Sequence, residues 1–123
     1  MRIVLFLAVL CLSGSRFPAL AEEAGFPVHT EACADRAYTA EGTLVSRREA
    51  GAVLTDADQV AERCVAMVRD GRVEAIDGTI VEVEADSICV HGDTPGATAL
   101  ASAVRRALTE ADVTLRPFVA DRP

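Results

Sequence analysis

The chain has 123 residues, which is room for one domain, and a formal net charge of −7 from 19 acidic and 12 basic residues. This acidic balance argues against a nucleic acid or an anionic membrane as a partner, because neutralising phosphates takes clustered Lys and Arg. The chain contains no lysine, which excludes a Walker-type phosphate loop and Schiff-base chemistry within it.

The first 21 residues fit two interpretations. On one, a charged start, an apolar run over 3–12 and a small-residue site at 19–21 form a signal peptide, and the protein is secreted. On the other, the apolar run is a buried strand, and Ser15 caps a helix over about 16–24. The run is too short to cross a bilayer as a helix.

The next part of the chain is predicted to hold a second strand and a long loop. A short strand over 27–31 completes a strand–helix–strand unit, residues 1–31. Residues 32–54 are irregular, but apolar anchors such as Leu44 and Val53 are not typical of a disordered linker. We therefore expect an ordered, functional loop.

Residues 55–118 are predicted to form a helix, a hairpin, a strand, a helix and a strand. The first helix starts with Thr55 as its N-cap and ends at Gly71. The pair Asp77-Gly78, flanked by alternating apolar residues over 72–84, is a strong hairpin signal.

The stretch 87–96 contains the most informative pattern in the chain. A short, apolar, β-branched strand over 87–90 leads directly into His-Gly-Asp at 91–93. Thr94 then resembles the N-cap of a helix over about 95–111, and a last strand is predicted over 113–118. A strand followed by His-Gly-Asp and a helix start is where α/β proteins commonly place their chemistry.

This alternation of strands and helices predicts a single α/β domain over 1–123, with a largely parallel sheet and an inserted β-hairpin. About four parallel strands leave open sheet edges, whereas a closed βα barrel takes roughly 200 residues or more. The chain is therefore expected to form part of a larger fold.

Four cysteines, Cys11, Cys33, Cys64 and Cys89, form no CxxC pair. Their spacing matches neither a zinc site nor a disulfide scaffold. Mostly apolar surroundings favour buried free thiols and a cytoplasmic location.

Polar clusters follow three predicted strands, at residues 13–15, 31–36 and 91–93. Because the carboxyl ends of parallel strands meet at one edge of a sheet, these clusters are expected to converge. In such a cleft His91 would transfer protons, with a carboxylate orienting it. Arg36 and Arg47 would bind a substrate carboxylate or phosphate through their planar guanidinium groups.

The same residues also have a purely structural interpretation, which the sequence leaves open. Asp93 would then cap the last helix, Arg36 would pair with Asp35 or Glu31, and His91 would bond to a backbone carbonyl. A metal held by His91 and these carboxylates has no supporting HExxH-type spacing, and no metal site is predicted.

Several blocks of sequence carry a resemblance to a known family. They are Ala-Asp-Arg-Ala-Tyr at 34–38, Gly-Thr-Leu-Val-x-Arg at 42–47, Gly-Ala at 51–52, and Ile-Cys-Val-His-Gly-Asp-Thr-Pro-Gly-Ala at 88–97. In order and spacing they resemble the carboxyl-terminal half of the LamB/YcsF family. The resemblance runs over about residues 9–118, and it favours the strand interpretation of the amino terminus.

This resemblance implies a distorted (β/α) barrel, related in architecture to polysaccharide deacetylases. The barrel is partial, because family members are about twice as long, and we expect a truncated product or a fragment. The implied activity is that of the A subunit of ATP-dependent 5-oxoprolinase, which hydrolyses the cyclic amide of 5-oxoproline to L-glutamate. ATP is the implied cofactor, although the chain has no ATP-binding motif of its own, and the B and C subunits are the implied partners.

The candidate residues then divide into two groups: His91 and Asp93 for proton transfer, and Asp35, Arg36, Tyr38 and Arg47 for binding substrate or phosphate. Alternatives are an inactive remnant or non-enzymatic binding module, and a small secreted protein.

Overall fold

Three parallel strands form a sheet at the centre of the fold. The computed structural model describes residues 7–119. In chain order, the elements are β1 (Val9–Leu12), α1 (Phe17–Glu23), β2 (Val28–Cys33), α2 (Ala57–Asp70), β3 (Arg72–Glu74), β4 (Ile80–Glu82), β5 (Ser87–Cys89) and α3 (Ala97–Glu110). The prediction of an α/β fold is confirmed for this part of the chain, which has a parallel sheet and three helices. The barrel stays a prediction.

Strand β2 is the middle strand of the sheet, and the order is β1-β2-β5. Both pairings are parallel, with Leu10 opposite His29 and Cys33 opposite Cys89. Within the described residues, β1 begins at Val9, so residues 7 and 8 of the predicted strand are not part of it. Residues 3–6 of that prediction lie outside the described residues. The carboxyl ends of β2 and β5 thus lie side by side, as the sequence predicts.

Helices α2 and α3 pack against each other and supply most of the main apolar cluster. Their apolar residues recur every three or four positions, so each helix turns one stripe inward. The main cluster of buried side chains comprises Ala34, Val60, Cys64, Leu100, Val104 and Leu108. Ala34 belongs to the segment that follows β2, so the core lies directly behind the carboxyl end of that strand.

The predicted N-caps of α1 and α2 are wrong. The N-cap of α2 is Asp56 rather than Thr55, and its carboxylate accepts a hydrogen bond from the backbone N–H of Gln59 at 2.9 Å. Ser15 does not cap α1; its hydroxyl donates to the Leu12 carbonyl at 2.8 Å and so closes the turn after β1. Each observed N-cap lies one residue after the predicted one, Arg16 after Ser15 and Asp56 after Thr55.

The hairpin is confirmed. Strands β3 and β4 pair antiparallel, with Val73 opposite Val81. The Asp77 carboxylate accepts from the Thr79 N–H at 2.9 Å, and Gly78 takes the left-handed conformation that the turn requires, with φ 87°.

The last predicted strand, over 113–118, is wrong. The Val113 N–H donates to the Leu108 carbonyl at 2.9 Å, which closes the end of α3, and no strand follows among the described residues. The segment runs irregularly instead, and the Phe118 ring lies against the His29 ring, with centroids 5.3 Å apart.

The loop between β2 and α2, residues 34–56, is ordered. Ala37, Val45 and Ala52 form a small buried cluster of their own. Backbone hydrogen bonds join Ala37 to both of these residues, at 2.9 and 3.0 Å. In the described part of the chain, no helix is both long and apolar enough to span a bilayer.

Candidate active site at the ends of two strands

Asp35, two residues beyond the end of β2, is fully buried with 0% exposure. Its carboxylate is surrounded by three hydrogen-bond partners from the segment after β5. The Thr94 hydroxyl donates to Oδ2 at 2.5 Å, the His91 backbone N–H donates to Oδ2 at 3.2 Å, and the His91 Nδ1 lies 2.7 Å from Oδ1. The adjacency of β2 and β5 brings together residues that are 56 positions apart in the chain.

These contacts decide the charge of the site. Burial acts to raise the pKa of Asp35, but the hydrogen bonds from Thr94 and His91 outweigh it and lower the pKa below its ordinary value of 3.8. An ionised carboxylate can only accept hydrogen bonds, so Nδ1 of His91 must carry the proton that lies between them. In the neutral form of the ring, the other nitrogen, Nε2, is then the hydrogen-bond acceptor.

His91 follows β5 directly, and its side chain is 24% exposed. A half-buried imidazole held by a buried carboxylate is an arrangement suited to general acid–base catalysis, because the carboxylate fixes the tautomer and stabilises the imidazolium that forms. The structural alternative, in which His91 bonds to a backbone carbonyl, is wrong. The ring bonds to Asp35.

Thr94 is not the N-cap that the sequence predicts. The N-cap of α3 is Gly96, which adopts a left-handed conformation with φ 74° and makes no side-chain cap. The Thr94 hydroxyl is turned inward to Asp35 instead. Asp93 does not cap α3 either, so that part of the structural alternative is also wrong.

Two further predicted residues meet at the exposed rim of the site. Nη1 of Arg47 donates to Oδ2 of Asp93 at 3.3 Å, and the two side chains are 49% and 71% exposed. A pair this open to solvent contributes little to stability, so either partner can exchange it for another ion. The loop thus brings the Arg47 guanidinium into contact with Asp93, two residues after His91.

Arg36 and Tyr38 lie behind the site rather than at its open side. The Arg36 guanidinium donates to the carbonyls of Val45 at 2.6 Å and Ala52 at 3.4 Å, and so holds the loop together. The predicted pairing of Arg36 with an acid is wrong. Tyr38 is fully buried, and its hydroxyl accepts from the Cys33 N–H at 2.9 Å. Burial raises the pKa of this phenol.

Arg63, on α2, is a site neighbour that the sequence analysis missed. Its Nη1 donates to the carbonyls of Ala34 at 2.7 Å and Cys33 at 3.3 Å, directly before Asp35. The available signal was its position in the apolar stripe, between Val60 and Cys64. An arginine there faces the core, where a charge must find partners.

Cys33 and Cys64 lie in surroundings that disfavour a reactive thiolate. Burial is the main cause that raises the pKa of Cys33 to about 12 and that of Cys64 to about 11, so both thiols stay protonated. All four cysteines are free. Across residues 7–119, no three His, Cys, Asp or Glu side chains cluster in a way that could hold a metal ion.

Two grooves in the structure lie away from the Asp35–His91 pair. One, of about 1010 Å³, runs along β5 and α3, and the other, of about 630 Å³, lies between α2 and the hairpin. Neither is lined by Asp35 or His91. The Asp35–His91 pair therefore lies outside both grooves, at the carboxyl ends of β2 and β5.

Comparison with known proteins gives a consistent result. The sequence matches the model of the LamB/YcsF family over residues 2–122. It is 58% identical over 112 residues to the 5-oxoprolinase A subunit of Paracidovorax citrulli, covering 91% of this chain and 45% of that protein. It is 53% identical over 116 residues to a 5-oxoprolinase A subunit of Agrobacterium fabrum, covering 94% and 46%.

The fold has a solved counterpart. The crystal structure of a lactam utilization protein from Thermus thermophilus superimposes with a TM-score of 0.80 at 39% identity, covering 89% of this chain and 44% of that one. The chain spans about half the length of the curated relatives it matches.

Proposed function

The chain belongs to the LamB/YcsF family, and on that basis we propose that it contributes the Asp35–His91 pair to a 5-oxoprolinase. The reaction is hydrolysis of the cyclic amide of 5-oxoproline to L-glutamate, coupled to hydrolysis of ATP as co-substrate. The relatives are named as A subunits of this enzyme, and the B and C subunits are the proposed partners. The free thiols are consistent with a cytoplasmic location.

The observation that carries the proposal is the hydrogen bond between Asp35 and His91. Opening an amide ring takes a base for the attacking water and an acid for the leaving nitrogen. With Nδ1 bonded to Asp35, Nε2 of His91 accepts a proton from water as the water oxygen bonds to the carbonyl carbon. The imidazolium, stabilised by Asp35, then gives that proton to the ring nitrogen as the carbon–nitrogen bond breaks.

Arg47 is the proposed anchor for the substrate carboxylate. 5-Oxoproline carries one carboxylate, and a guanidinium can bind such a group through two parallel hydrogen bonds. Arg47 is half exposed, and within residues 7–119 its guanidinium pairs only with the exposed Asp93, so a substrate can compete for it. Proton transfer by Asp93 itself stays a prediction, as do direct substrate contacts by Arg36 and Tyr38.

The test is reconstitution of the chain with B and C subunits, followed by measurement of glutamate formed from 5-oxoproline and ATP. We expect ATP-dependent glutamate formation by the wild-type chain and its loss in His91→Ala. The variant His29→Ala, in the only other histidine, is the matched control and should retain the wild-type rate. Absence of product from the wild-type mixture, or an undiminished rate in His91→Ala, would overturn the proposal.

A second candidate is a binding module without turnover, which the half-exposed guanidinium of Arg47 would favour. In that case calorimetry would detect 5-oxoproline binding to the chain that weakens in Arg47→Ala, with no glutamate formed in the reconstituted mixture.

A further inference from the structure

The partly buried guanidinium of Arg63 is an unusual choice for a position that faces the core. Burial lowers the pKa of Arg63, because removing the charged guanidinium from water is unfavourable. Its Nη2 is buried and has no hydrogen-bond partner among the described residues. An apolar side chain of similar size would commonly be at least as stabilising at such a position. Arg63 therefore needs an explanation beyond packing.

Its contacts supply that explanation, because they converge on the two residues that precede Asp35. Nη1 donates to the carbonyls of Cys33 and Ala34. From the other side, the Tyr38 hydroxyl accepts from the Cys33 N–H, and the Tyr38 ring lies under the guanidinium, with Cζ 5.4 Å from the ring centroid. Arg63 and Tyr38 thus hold the same peptide segment in a single position.

The neighbouring backbone contacts extend this support to Asp35 itself. The Ala34 N–H donates to the Cys89 carbonyl, and the Asp35 carbonyl accepts from the Leu54 N–H, each at 2.9 Å. The segment is therefore fixed to β5, to the loop and to α2 at once. Asp35 has 0% exposure and bonds to the His91 ring at 2.7 Å. A displacement of this segment would therefore change the hydrogen bond between Asp35 and the imidazole.

We propose that Arg63 is a positioning residue for the site: by holding the carbonyls of Cys33 and Ala34, it keeps Asp35 in register with His91 and so fixes the histidine tautomer. The inference rests on the proposed role of His91. The test of the Arg63 proposal does not measure turnover. A failure of that proposal can therefore be distinguished from a failure of the catalytic role proposed for His91.

The tautomer of His91 is measured by ¹⁵N NMR of the imidazole nitrogens in the full chain, at about pH 8.5, where an ordinary imidazole is neutral. The chain has only two histidines, and His29 serves as an internal reference. In the wild type we expect the form protonated at Nδ1 to dominate. In Arg63→Met we expect the form protonated at Nε2 to rise several-fold, with a partial return in Arg63→Lys.

The control is Arg69→Met, on the exposed side of the same helix, where the guanidinium donates to the Ala111 carbonyl and touches no site residue. It should leave the His91 spectrum unchanged. A folded Arg63→Met with a wild-type tautomer overturns the proposal. If Arg63→Met does not fold, Arg63→Gln decides by the same measurement. Loss of the fold in both variants also counts against it, since Arg63 would then be a residue of core stability.

Discussion

The Asp35 carboxylate is an ionised group with no solvent contact, which is costly unless its oxygens accept enough hydrogen bonds. Thr94 and His91 supply those bonds, and they hold the pKa of Asp35 below its ordinary value despite its burial. Near and below pH 4 the unfolded chain therefore binds more protons at this position than the folded chain does. The stability contributed by Asp35 is present above the unfolded value and is lost as the pH falls through the folded one.

This linkage gives a prediction for Asp35→Asn. The variant should be less stable than the wild type at neutral pH, and the gap in unfolding free energy should narrow from about pH 5 to about pH 2. Urea unfolding across this range measures the gap. Asp93→Asn, in an exposed carboxylate at the same site, is the control and should show only a small gap at neutral pH. A gap for Asp35→Asn that stays constant on acidification would contradict the assignment of an ionised buried carboxylate.

The residues of the site were partly predictable. His91 and Asp35 each follow a predicted strand, and parallel strands place such ends together. The sequence did not show which carboxylate binds His91, because that depends on the register between β2 and β5. It also did not show that Arg36 and Tyr38 turn inward, since their side-chain directions are set by the folded loop.

At the scale of elements, the turn after β1 packs closely on the loop that carries Arg47. Gly14 has φ 84°, and a Cβ at this position would lie 2.2 Å from the Gly42 carbonyl oxygen. Gly25, after α1, has the same φ, but a Cβ there would meet nothing within 4 Å. Substituting each glycine by alanine therefore distinguishes two effects on stability. At Gly25 only the left-handed backbone is unfavourable, whereas at Gly14 a steric clash is added.

We predict that Gly25→Ala lowers the free energy of unfolding by about 1–2 kcal/mol, the cost of a left-handed alanine. Gly14→Ala should lower it by clearly more, because the turn and the loop must also move apart. Chemical denaturation of both variants gives the comparison. Equal losses would show that the β1 turn does not pack against the loop as described.

The periodicity of apolar residues predicts the types of the helices and strands well. It predicts the residues at which they begin and end less well. Apolar spacing predicts α2 and α3, and Asp77-Gly78 predicts the hairpin. The strand predicted over 113–118 failed because a β-like sequence forms a strand only when a neighbouring strand pairs with it. Val113 instead bonds back to the last turn of α3.

At the scale of the whole molecule, the first strand–helix–strand unit exposes several large apolar side chains. Leu10, Phe17, Leu20 and Phe26 are each between 43% and 57% exposed. Within residues 7–119, the outer edges of β1 and β5 have no neighbouring strand. Exposed apolar residues beside an open edge are typical of a surface that contacts another part of a fold or a partner.

We predict that the double variant Phe17→Gln/Leu20→Gln binds the hydrophobic dye ANS less strongly than the wild type, with little change in unfolding free energy, since both side chains are more than half exposed. Fluorescence titration measures the binding. Thr98→Gln/Ser102→Gln, at exposed uncharged positions of α3, is the control and should leave dye binding near that of the wild type. Unchanged dye binding in the Phe17/Leu20 variant would mean that these side chains are covered in solution.

The central claim is that Asp35 and His91 act as one proton-transfer unit in the opening of the 5-oxoproline ring. The most direct measurement is the rate of glutamate formation by the chain reconstituted with B and C subunits, comparing the wild type with Asp35→Asn. Loss of the carboxylate removes both the fixed tautomer and the stabilisation of the imidazolium, so we expect the rate to fall by about 10²–10⁴-fold. A folded Asp35→Asn chain that forms glutamate at the wild-type rate would contradict the claim.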